Sequence, residues 1–364
     1  MNDIIIRRES KSVKVKDMII GGRSQVSIQS MTNTDTHDID ATTKQILALQ
    51  NAGCDIVRIT LPDLEAVSTV RLLKANPDIQ IPIVGDIHFD YKIALAAAEA
   101  GIDKIRINPG NIGADERVKA VADACKKRNI PIRIGVNSGS LEKHILQKHG
   151  SPTPDALCES ALYHASLLEK FDFNDIVISV KASNPLSTIH SYRKLASMCE
   201  YPLHLGVTEA GGAEAGAIKS AVGIGTLLAE GIGDTIRVSL TADPVKEIYA
   251  AKAILSSLDL DVKKGLEIVS CPTCGRTKID LISLLEQFER AVDENSLRSV
   301  SAKVALMGCI VNGPGEAREA DIGIAGGIGE AVFFKQGKII EKIPESKVIP
   351  KLIEELKKLS TRDI

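Results

Sequence analysis

The sequence lacks an excess of charge of either sign. Its 364 residues include 45 Lys and Arg against 47 Asp and Glu, so the formal net charge at pH 7 is −2. When the sequence is divided near residue 260, both parts remain close to neutral. Proteins that bind nucleic acid carry a basic excess on the surface that meets it. We therefore expect no nucleic-acid partner, and any cationic site must be local.

Long apolar runs are also missing. The first ten residues, MNDIIIRRES, contain no apolar core of signal-peptide length, and no later segment is apolar enough to cross a membrane. The cysteine count of seven is odd, which argues against the disulfide framework of small secreted domains. We therefore expect a cytoplasmic protein with no membrane partner, long enough for a large domain and a smaller one.

A short apolar segment followed by an amphipathic one recurs from Gln25 to about Ser239. The apolar segments are rich in Ile and Val, as buried parallel strands are. The predicted strands are Val26–Met31, Ile56–Leu61, Ile81–Gly85, Lys104–Ile107, Ile132–Val136, Ile176–Val180, Leu203–Val207 and Thr235–Val238. Eight such units predict an α/β protein with a (β/α)8 TIM-type barrel over residues 1–260. A doubly wound open sheet is the alternative, because alternation alone does not prove closure.

A polar segment, Leu258–Gly265, is the predicted linker to a second domain. Residues 266–364 predict a smaller α+β domain that carries an iron–sulfur site. Its predicted strand Leu266–Ser270 leads into the motif Cys271-Pro272-Thr273-Cys274, and the strand Lys303–Met307 leads into Cys309. The cysteines therefore lie on loops that a rigid sheet positions.

Three cysteines and one carboxylate of this second domain form a candidate metal site. Cys271 and Cys274 are separated by two residues, Cys309 follows after 34 intervening residues, and Glu316 lies seven positions later. Three thiolates and a carboxylate suit a [4Fe–4S] cluster with one iron that lacks a cysteine ligand. A structural zinc site is the alternative, although zinc usually takes a second pair of Cys or His.

Cationic side chains occur near the carboxyl ends of five predicted barrel strands, where barrel enzymes carry their active sites. These cations are Arg58, Arg106, Arg133, Lys181 and Arg237. Such a cluster favours a phosphate ester as ligand, because Arg binds phosphate oxygens bidentately. The alternative is that each Arg pairs with a neighbouring Asp or Glu of the barrel.

Other polar residues share these strand ends: Asp86, His88, Asn137, Glu209 and Ser239. His88 is either a proton donor or a hydrogen-bonding residue of the barrel. Glu209 is either a general acid–base group or a partner of one arginine. A Walker phosphate loop is absent, and Gly223 and Gly225 do not complete a dinucleotide-binding fingerprint.

Nine segments between about Ser24 and Glu316 resemble the bacterial 4-hydroxy-3-methylbut-2-enyl diphosphate synthases of the non-mevalonate isoprenoid pathway. These segments are SQVSIQSMTNTDT, GDIHF, IRINPGN, IRIGVNSGSLE, SVKASN, PLHLGVTEAGG, GIGDTIRVSLTADP, CPTCGRT and GCIVNGPGE. The sequence is similar to the two-domain form of that family, since it has no room for the extra middle domain of some members.

The resemblance implies an iron–sulfur oxidoreductase that acts on CH or CH2 groups. It would open and reductively dehydroxylate 2-C-methyl-D-erythritol 2,4-cyclodiphosphate, with electrons from reduced flavodoxin or ferredoxin. The implied ligands of a [4Fe–4S] cluster are Cys271, Cys274, Cys309 and Glu316. The implied diphosphate site consists of Arg58, Arg106, Arg133, Lys181 and Arg237. The implied remainder of the pocket consists of Asp86, His88, Asn137, Glu209 and Ser239, with catalytic roles for Asp86, His88, Glu209 and Glu316.

The resemblance also implies a head-to-tail homodimer, in which the second domain of one subunit covers the barrel of the other. Two different functions stay open from the residues alone. One is a phosphate-ester lyase or isomerase with a structural zinc lobe, and the other is a non-catalytic iron–sulfur redox sensor.

Overall fold

The computed structural model describes residues 5–260, 265–309 and 318–360. The chain divides into two compact units, residues 1–261 and 262–364. Part of the predicted linker, residues 261–264, lies outside the described residues. Every helix within the described ranges is too short or too polar to span a lipid bilayer.

An antiparallel hairpin precedes the barrel of the first unit. Its strands are β1 (Val13–Val15) and β2 (Met18–Ile20). Apolar side chains of the hairpin share one buried cluster with Ile56, Val84 and Val177 of the barrel strands. One end of the barrel interior is therefore filled with apolar groups, and polar side chains can occupy the other end.

Eight parallel strands form the barrel, and each pairs with its neighbours in chain order. They are β3 (Ser27–Met31), β4 (Ile56–Thr60), β5 (Ile83–Asp86), β6 (Lys104–Ile107), β7 (Ile132–Asn137), β8 (Ile176–Lys181), β9 (His204–Leu205) and β10 (Thr235–Ile236). Thr235 of β10 pairs with Ser27 of β3, and a parallel bridge joins Ile178 of β8 to Leu203 beside β9. The predicted barrel is confirmed, and the open sheet is wrong because the strand pairing continues around the ring.

Helices between the strands cover the outside of the barrel. They are α1 (Ile39–Ala52), α2 (Leu64–Ala75), α3 (Tyr91–Glu99), α4 (Pro109–Ile112), α5 (Asp115–Arg128), α6 (Lys143–His149), α7 (Pro154–Glu169), α8 (Pro185–Met198), α9 (Ala213–Ser220), α10 (Thr226–Ala229) and α11 (Pro244–Ser256). Several begin with a side-chain cap, as where Asp38 accepts a hydrogen bond from the Ala41 N–H. Apolar residues between these helices and the strands form the main core of the unit.

Within its described residues, the second unit contains a five-stranded mixed sheet and two α-helices. Its strands, in both chain and spatial order, are β11 (Leu266–Ser270), β12 (Ala302–Met307), β13 (Ile322–Gly326), β14 (Glu330–Lys335) and β15 (Lys338–Pro344). The first three are parallel, and the last two pair antiparallel. Helices α12 (Leu281–Glu294) and α13 (Val348–Ser360) share a buried core with the sheet. The predicted α+β character of this part is confirmed.

Candidate active site

Inward-facing side chains near the carboxyl ends of the barrel strands are mostly polar. Side chains of one face recur every second residue along a strand, and the register aligns Asp86 with Arg106 and Arg106 with Arg133. A cavity of about 130 Å³ opens among them. It is lined by Arg58, Asp86, His88, Arg106, Arg133, Gly135, Asn137 and Ser179.

Asp86 is the carboxylate of this cavity. Its Oδ1 lies 3.3 Å from Arg106 Nη1, and its Oδ2 lies 4.0 Å from Arg58 Nε and 3.6 Å from His88 Nε2. Burial by itself would raise the pKa of Asp86, but the charges of Arg58 and Arg106 and the hydrogen bond to His88 hold this pKa well below its usual range. Asp86 is therefore an anion at neutral pH that orients two arginines.

Gly135 allows the Arg106 guanidinium to lie against the neighbouring strand. Arg106 Nη2 donates a hydrogen bond of 2.7 Å to the Gly135 carbonyl, and the Gly135 N–H donates to Asn108 Oδ1 at 2.9 Å. A Cβ atom at residue 135 would lie 2.5 Å from Arg106 Nε. Any side chain at this position would therefore displace the guanidinium from the cavity.

Arg133 and Lys181 are buried basic side chains without a carboxylate partner among the described residues. Arg133 is 1% exposed and donates from Nη1 to Ser179 Oγ at 2.7 Å, while its Nε and Nη2 make no hydrogen bond there. Burial and the nearby arginine charges hold the pKa of Lys181 well below its usual range. Because an unpaired buried cation is costly, this arrangement is suited to an incoming anion.

Arg237 has a carboxylate partner that no strand pattern predicted. Its Nη2 lies 3.6 Å from Glu247 Oε1, and Glu247 belongs to α11 rather than to a strand. The Ser30 hydroxyl and the Leu240 N–H also donate to Glu247, at 2.8 and 3.0 Å. The predicted pairing of arginines with carboxylates therefore applies to Arg58, Arg106 and Arg237.

Two further interior groups were absent from the sequence prediction. Lys104 of β6 and His204 of β9 are fully buried, and the Lys104 amine and both His204 ring nitrogens make no hydrogen bond within the described part of the barrel. Lys104 lies two residues before Arg106, so the same alternation assigns both to one face. That signal could have found Lys104, whereas a buried His at a strand start has no distinctive local pattern.

The other predicted pocket residues lie nearer the surface. The His88 side chain is 53% exposed, and Arg106 Nη1 lies 3.4 Å from its Nδ1. Glu209 is exposed and adopts a left-handed backbone conformation with φ of 54°, and Ser239 is half-buried beyond β10. Glu209 and Ser239 are not among the described residues that line the cavity. The structure thus brings together Arg58, Asp86, His88, Arg106, Arg133 and Asn137.

The predicted metal ligands of the second unit follow two adjacent strands. Because β11 and β12 are paired in parallel, Cys271 and Cys309 lie beyond the same edge of the sheet. The Gly308 N–H donates to Cys271 Sγ at 3.2 Å, and the Lys278 N–H donates to the Gly308 carbonyl at 3.0 Å. These contacts join the two cysteine loops to each other.

The chemistry of this donor set fits an iron–sulfur cluster. All three thiols are free, with Cys271 and Cys309 half-buried and Cys274 exposed. A backbone N–H directed at Cys271 Sγ is the kind of contact that stabilises a thiolate ligand. Within the described ranges, no three His, Cys, Asp or Glu side chains approach closely enough to hold a metal ion. Glu316 lies outside these ranges, so ligation by the four predicted residues stays a prediction.

Comparisons with known proteins match nearly the whole chain. A family model described as the GcpE TIM-barrel domain matches residues 10–252, and one described as the GcpE protein C-terminal domain matches residues 267–358. A relative from Ruminiclostridium cellulolyticum is 56% identical over 359 residues, which cover 99% of this chain and 100% of the relative. A relative from Clostridium perfringens is 59% identical over 348 residues, which cover 96% and 98%. Both are named 4-hydroxy-3-methylbut-2-en-1-yl diphosphate synthase (flavodoxin).

A solved structure supports the fold. The N-acetylneuraminic acid (sialic acid) synthetase from Leptospira borgpetersenii aligns with a TM-score of 0.51 and 14% identity, over 80% of this chain and 99% of that one. At this identity the similarity concerns the fold alone, and it agrees with the barrel described above.

Proposed function

The chain belongs to the GcpE family, and from this premise we propose that it reductively opens and dehydroxylates 2-C-methyl-D-erythritol 2,4-cyclodiphosphate to 4-hydroxy-3-methylbut-2-enyl diphosphate. The observation that carries the proposal is the surplus of buried basic side chains in the barrel. Arg133 and Lys181 have no carboxylate partner in the described barrel, and a diphosphate supplies two negative charges. The name of the relatives supports the same product and the reductant flavodoxin.

The mouth of the barrel is the end at which the strand carboxyl termini lie, and its residues have different proposed roles in binding. Arg133, Lys181 and Arg237 bind the phosphate oxygens, while Asp86 holds Arg58 and Arg106 in position for the same ligand. Fixed guanidinium groups orient the substrate and exclude water from it. His88, which is half-exposed at the rim, and Glu209 are the groups that exchange protons with solvent and substrate, and Asn137 and Ser239 complete the polar wall.

Cys271, Cys274, Cys309 and Glu316 would hold a [4Fe–4S] cluster. Such a cluster supplies electrons and, at an iron without a cysteine ligand, a Lewis acid. Flavodoxin or ferredoxin in the cytoplasm is the proposed source of the electrons.

Anaerobic purification followed by metal analysis and turnover tests this function. We expect a brown protein with about four irons and four sulfides per chain, as this cluster type requires. With reduced flavodoxin it should convert the cyclic diphosphate to 4-hydroxy-3-methylbut-2-enyl diphosphate, detected by mass spectrometry. Zinc in place of iron would instead support a lyase or isomerase with a structural lobe. Iron without turnover would support a redox sensor.

The proposed head-to-tail homodimer has its own test. Subunits carrying Cys271→Ser and subunits carrying Arg133→Ala are each inactive in this proposal, because one lacks a cluster ligand and the other a phosphate ligand. Mixed dimers purified through two different tags should recover part of the activity if each site combines two chains. Confirmed heterodimers without activity would indicate that each site is built within one chain.

A further inference from the structure

Lys104 lies at the boundary between the apolar and the cationic halves of the barrel interior. It is the first residue of β6 and is 0% exposed. In the sheet register it is aligned with Val84, which packs against the N-terminal hairpin, while Arg106 on the same face lines the cavity. The Lys104 amine has no hydrogen-bond partner in the described part of the chain. A charged amine in such a place loses its hydration without compensation.

The charges that act on Lys104 are those of Arg133 and Arg58, which are both cations. The two interior carboxylates are engaged elsewhere, since Asp86 pairs with Arg58 and Arg106, and Glu247 pairs with Arg237. Besides Lys104, the charged or titratable groups that face the interior among the described residues are Arg58 on β4, Asp86 on β5, Arg106 on β6, Arg133 on β7, Lys181 on β8, His204 on β9, Arg237 beyond β10 and Glu247 on α11. Strand β3 contributes the uncharged Gln29.

We propose that Lys104 is a positioning residue that is neutral in the free protein and takes up a proton when a diphosphate binds in the barrel mouth. This inference rests on the proposed function. Lysine is the group that gives up its proton because a guanidinium holds its own far more strongly. Two bound phosphates offset the charges of Arg133 and Arg58, so the ammonium form of Lys104 then becomes favourable.

The electrostatics of the free protein support this assignment. Burial, together with the charges of Arg133 and Arg58, holds the pKa of Lys104 well below its usual range. A neutral amine lets the free site remain folded with one positive charge fewer. Proton uptake then adds that charge only when the ligand is doubly anionic, which favours a diphosphate over a monoanion of similar shape.

Calorimetry of ligand binding tests the proton uptake directly. The holoenzyme and a Lys104→Met variant are titrated anaerobically with the cyclic diphosphate in two buffers of equal pH and different ionisation enthalpy. Each phosphorus of this diester carries one strongly acidic hydroxyl, so the ligand itself takes up no proton near neutral pH. On binding, we expect the variant to take up fewer protons than the parent protein, by as much as about one per chain. We also expect the variant to bind the cyclic diphosphate more weakly. Equal proton uptake in both proteins would overturn the inference.

Unfolding of the ligand-free protein gives a second measurement. The amine of Lys104 is protonated in the unfolded chain below about pH 10.4, so unfolding takes up a proton and stability rises with pH. Between pH 7 and 9 the unfolding equilibrium constant of the parent should fall about tenfold per pH unit relative to that of Lys104→Met. Parallel pH profiles would contradict a neutral Lys104. Lys104→Gln provides the same comparison if the Met variant does not fold.

The controls separate this inference from the proposed function. Lys127→Met removes an exposed amine of α5 and should change neither the proton uptake nor the pH profile. A parent protein that neither binds nor converts the cyclic diphosphate would contradict the proposed function. A parent that binds it with the same proton uptake as Lys104→Met would contradict only the role of Lys104.

Discussion

The barrel mouth and the cysteine loops hold their functional groups in opposite ways. In the mouth the cations belong to the strands themselves and are buried, with Arg133 at 1% and Lys181 at 7% exposure. In the second unit the thiols follow the strands, Cys274 is exposed, and a few backbone hydrogen bonds fix the loops. Strand side chains are positioned before any ligand arrives, whereas loop ligands are drawn together by the metal they bind.

The free energy cost of the empty site therefore differs between the two regions. The mouth keeps repelling cations close to one another, so an anionic ligand stabilises the barrel when it binds. The cysteine loops hold thiols that are exposed or only half-buried, so these groups cost little when the metal is absent. Mutations in one region should consequently leave the properties of the other largely unchanged.

The largest expected effect comes from Cys274→Ser. Loss of a thiolate should remove most of the iron and lower turnover at least about 100-fold. Any remaining affinity for the diphosphate, measured by calorimetry, is then that of the barrel residues alone. Cys199→Ser, at a half-buried cysteine of the barrel unit, should keep full iron content. A Cys274→Ser protein with a full complement of iron would refute this ligand assignment.

A smaller effect, confined to the barrel, is expected for Asp86→Asn. The change leaves Arg58 and Arg106 without their carboxylate and should destabilise the barrel by about 3–5 kcal/mol, with iron content unaltered. Because the sequence has no Trp, urea unfolding is followed by circular dichroism. Asp123→Asn, in an exposed ion pair with Lys119, should cost less than about 1 kcal/mol.

The pH dependence of the Asp86→Asn effect follows from the lowered pKa of Asp86. Its pKa in the folded protein lies below the unfolded value of about 3.9, so the stabilisation is present above that pH and is lost as the pH falls further. The stability difference between the parent and Asp86→Asn should therefore be constant near neutral pH and shrink below about pH 4. A difference that stays constant in acid would show that Asp86 acts as a neutral group.

The smallest expected effect comes from Gly308→Ala between the cysteine loops. The new Cβ would lie 2.8 Å from Thr277 Cγ2, so the two loops must separate slightly. We expect iron loss to a chelator to become about tenfold faster, at the lower end of the 10- to 100-fold effect typical of residues around a metal site. Gly275→Ala is the matched control, because its Cβ meets no atom within 4 Å. Equal iron loss from both variants would mean that the loop contact does not support the metal site.

The barrel was predictable because its signal is local. Buried parallel strands are short runs of Ile and Val, and each of the eight predicted strands begins within two residues of the observed one. The last two strands are shorter than predicted, at two residues each. The cations of the strands were equally recognisable, since alternation assigns Arg106 and Arg133 to the interior without any knowledge of distant contacts.

The pairing of these charges was not predictable in the same way. Glu247 reaches the barrel interior from a helix and contacts Ser30, which lies 217 positions earlier in the sequence. The alternation pattern that identified Arg106 also applies to Lys104, yet a lysine that precedes the strand end gives no sign that it lacks a partner. Whether a buried cation is neutralised depends on distances across the ring, which local patterns do not contain.

The sequence alone was enough to establish the repeat of strands and helices, the spacing of the cysteines and the chain's family, because short segments of sequence are sufficient to recognise each of them. The tertiary structure decided which charges meet and which are left uncompensated. The physical reason is that electrostatic free energy in a buried site depends on distance and burial in three dimensions. In the described barrel, Arg58, Arg106 and Arg237 have carboxylate partners, whereas Arg133, Lys181 and Lys104 have none.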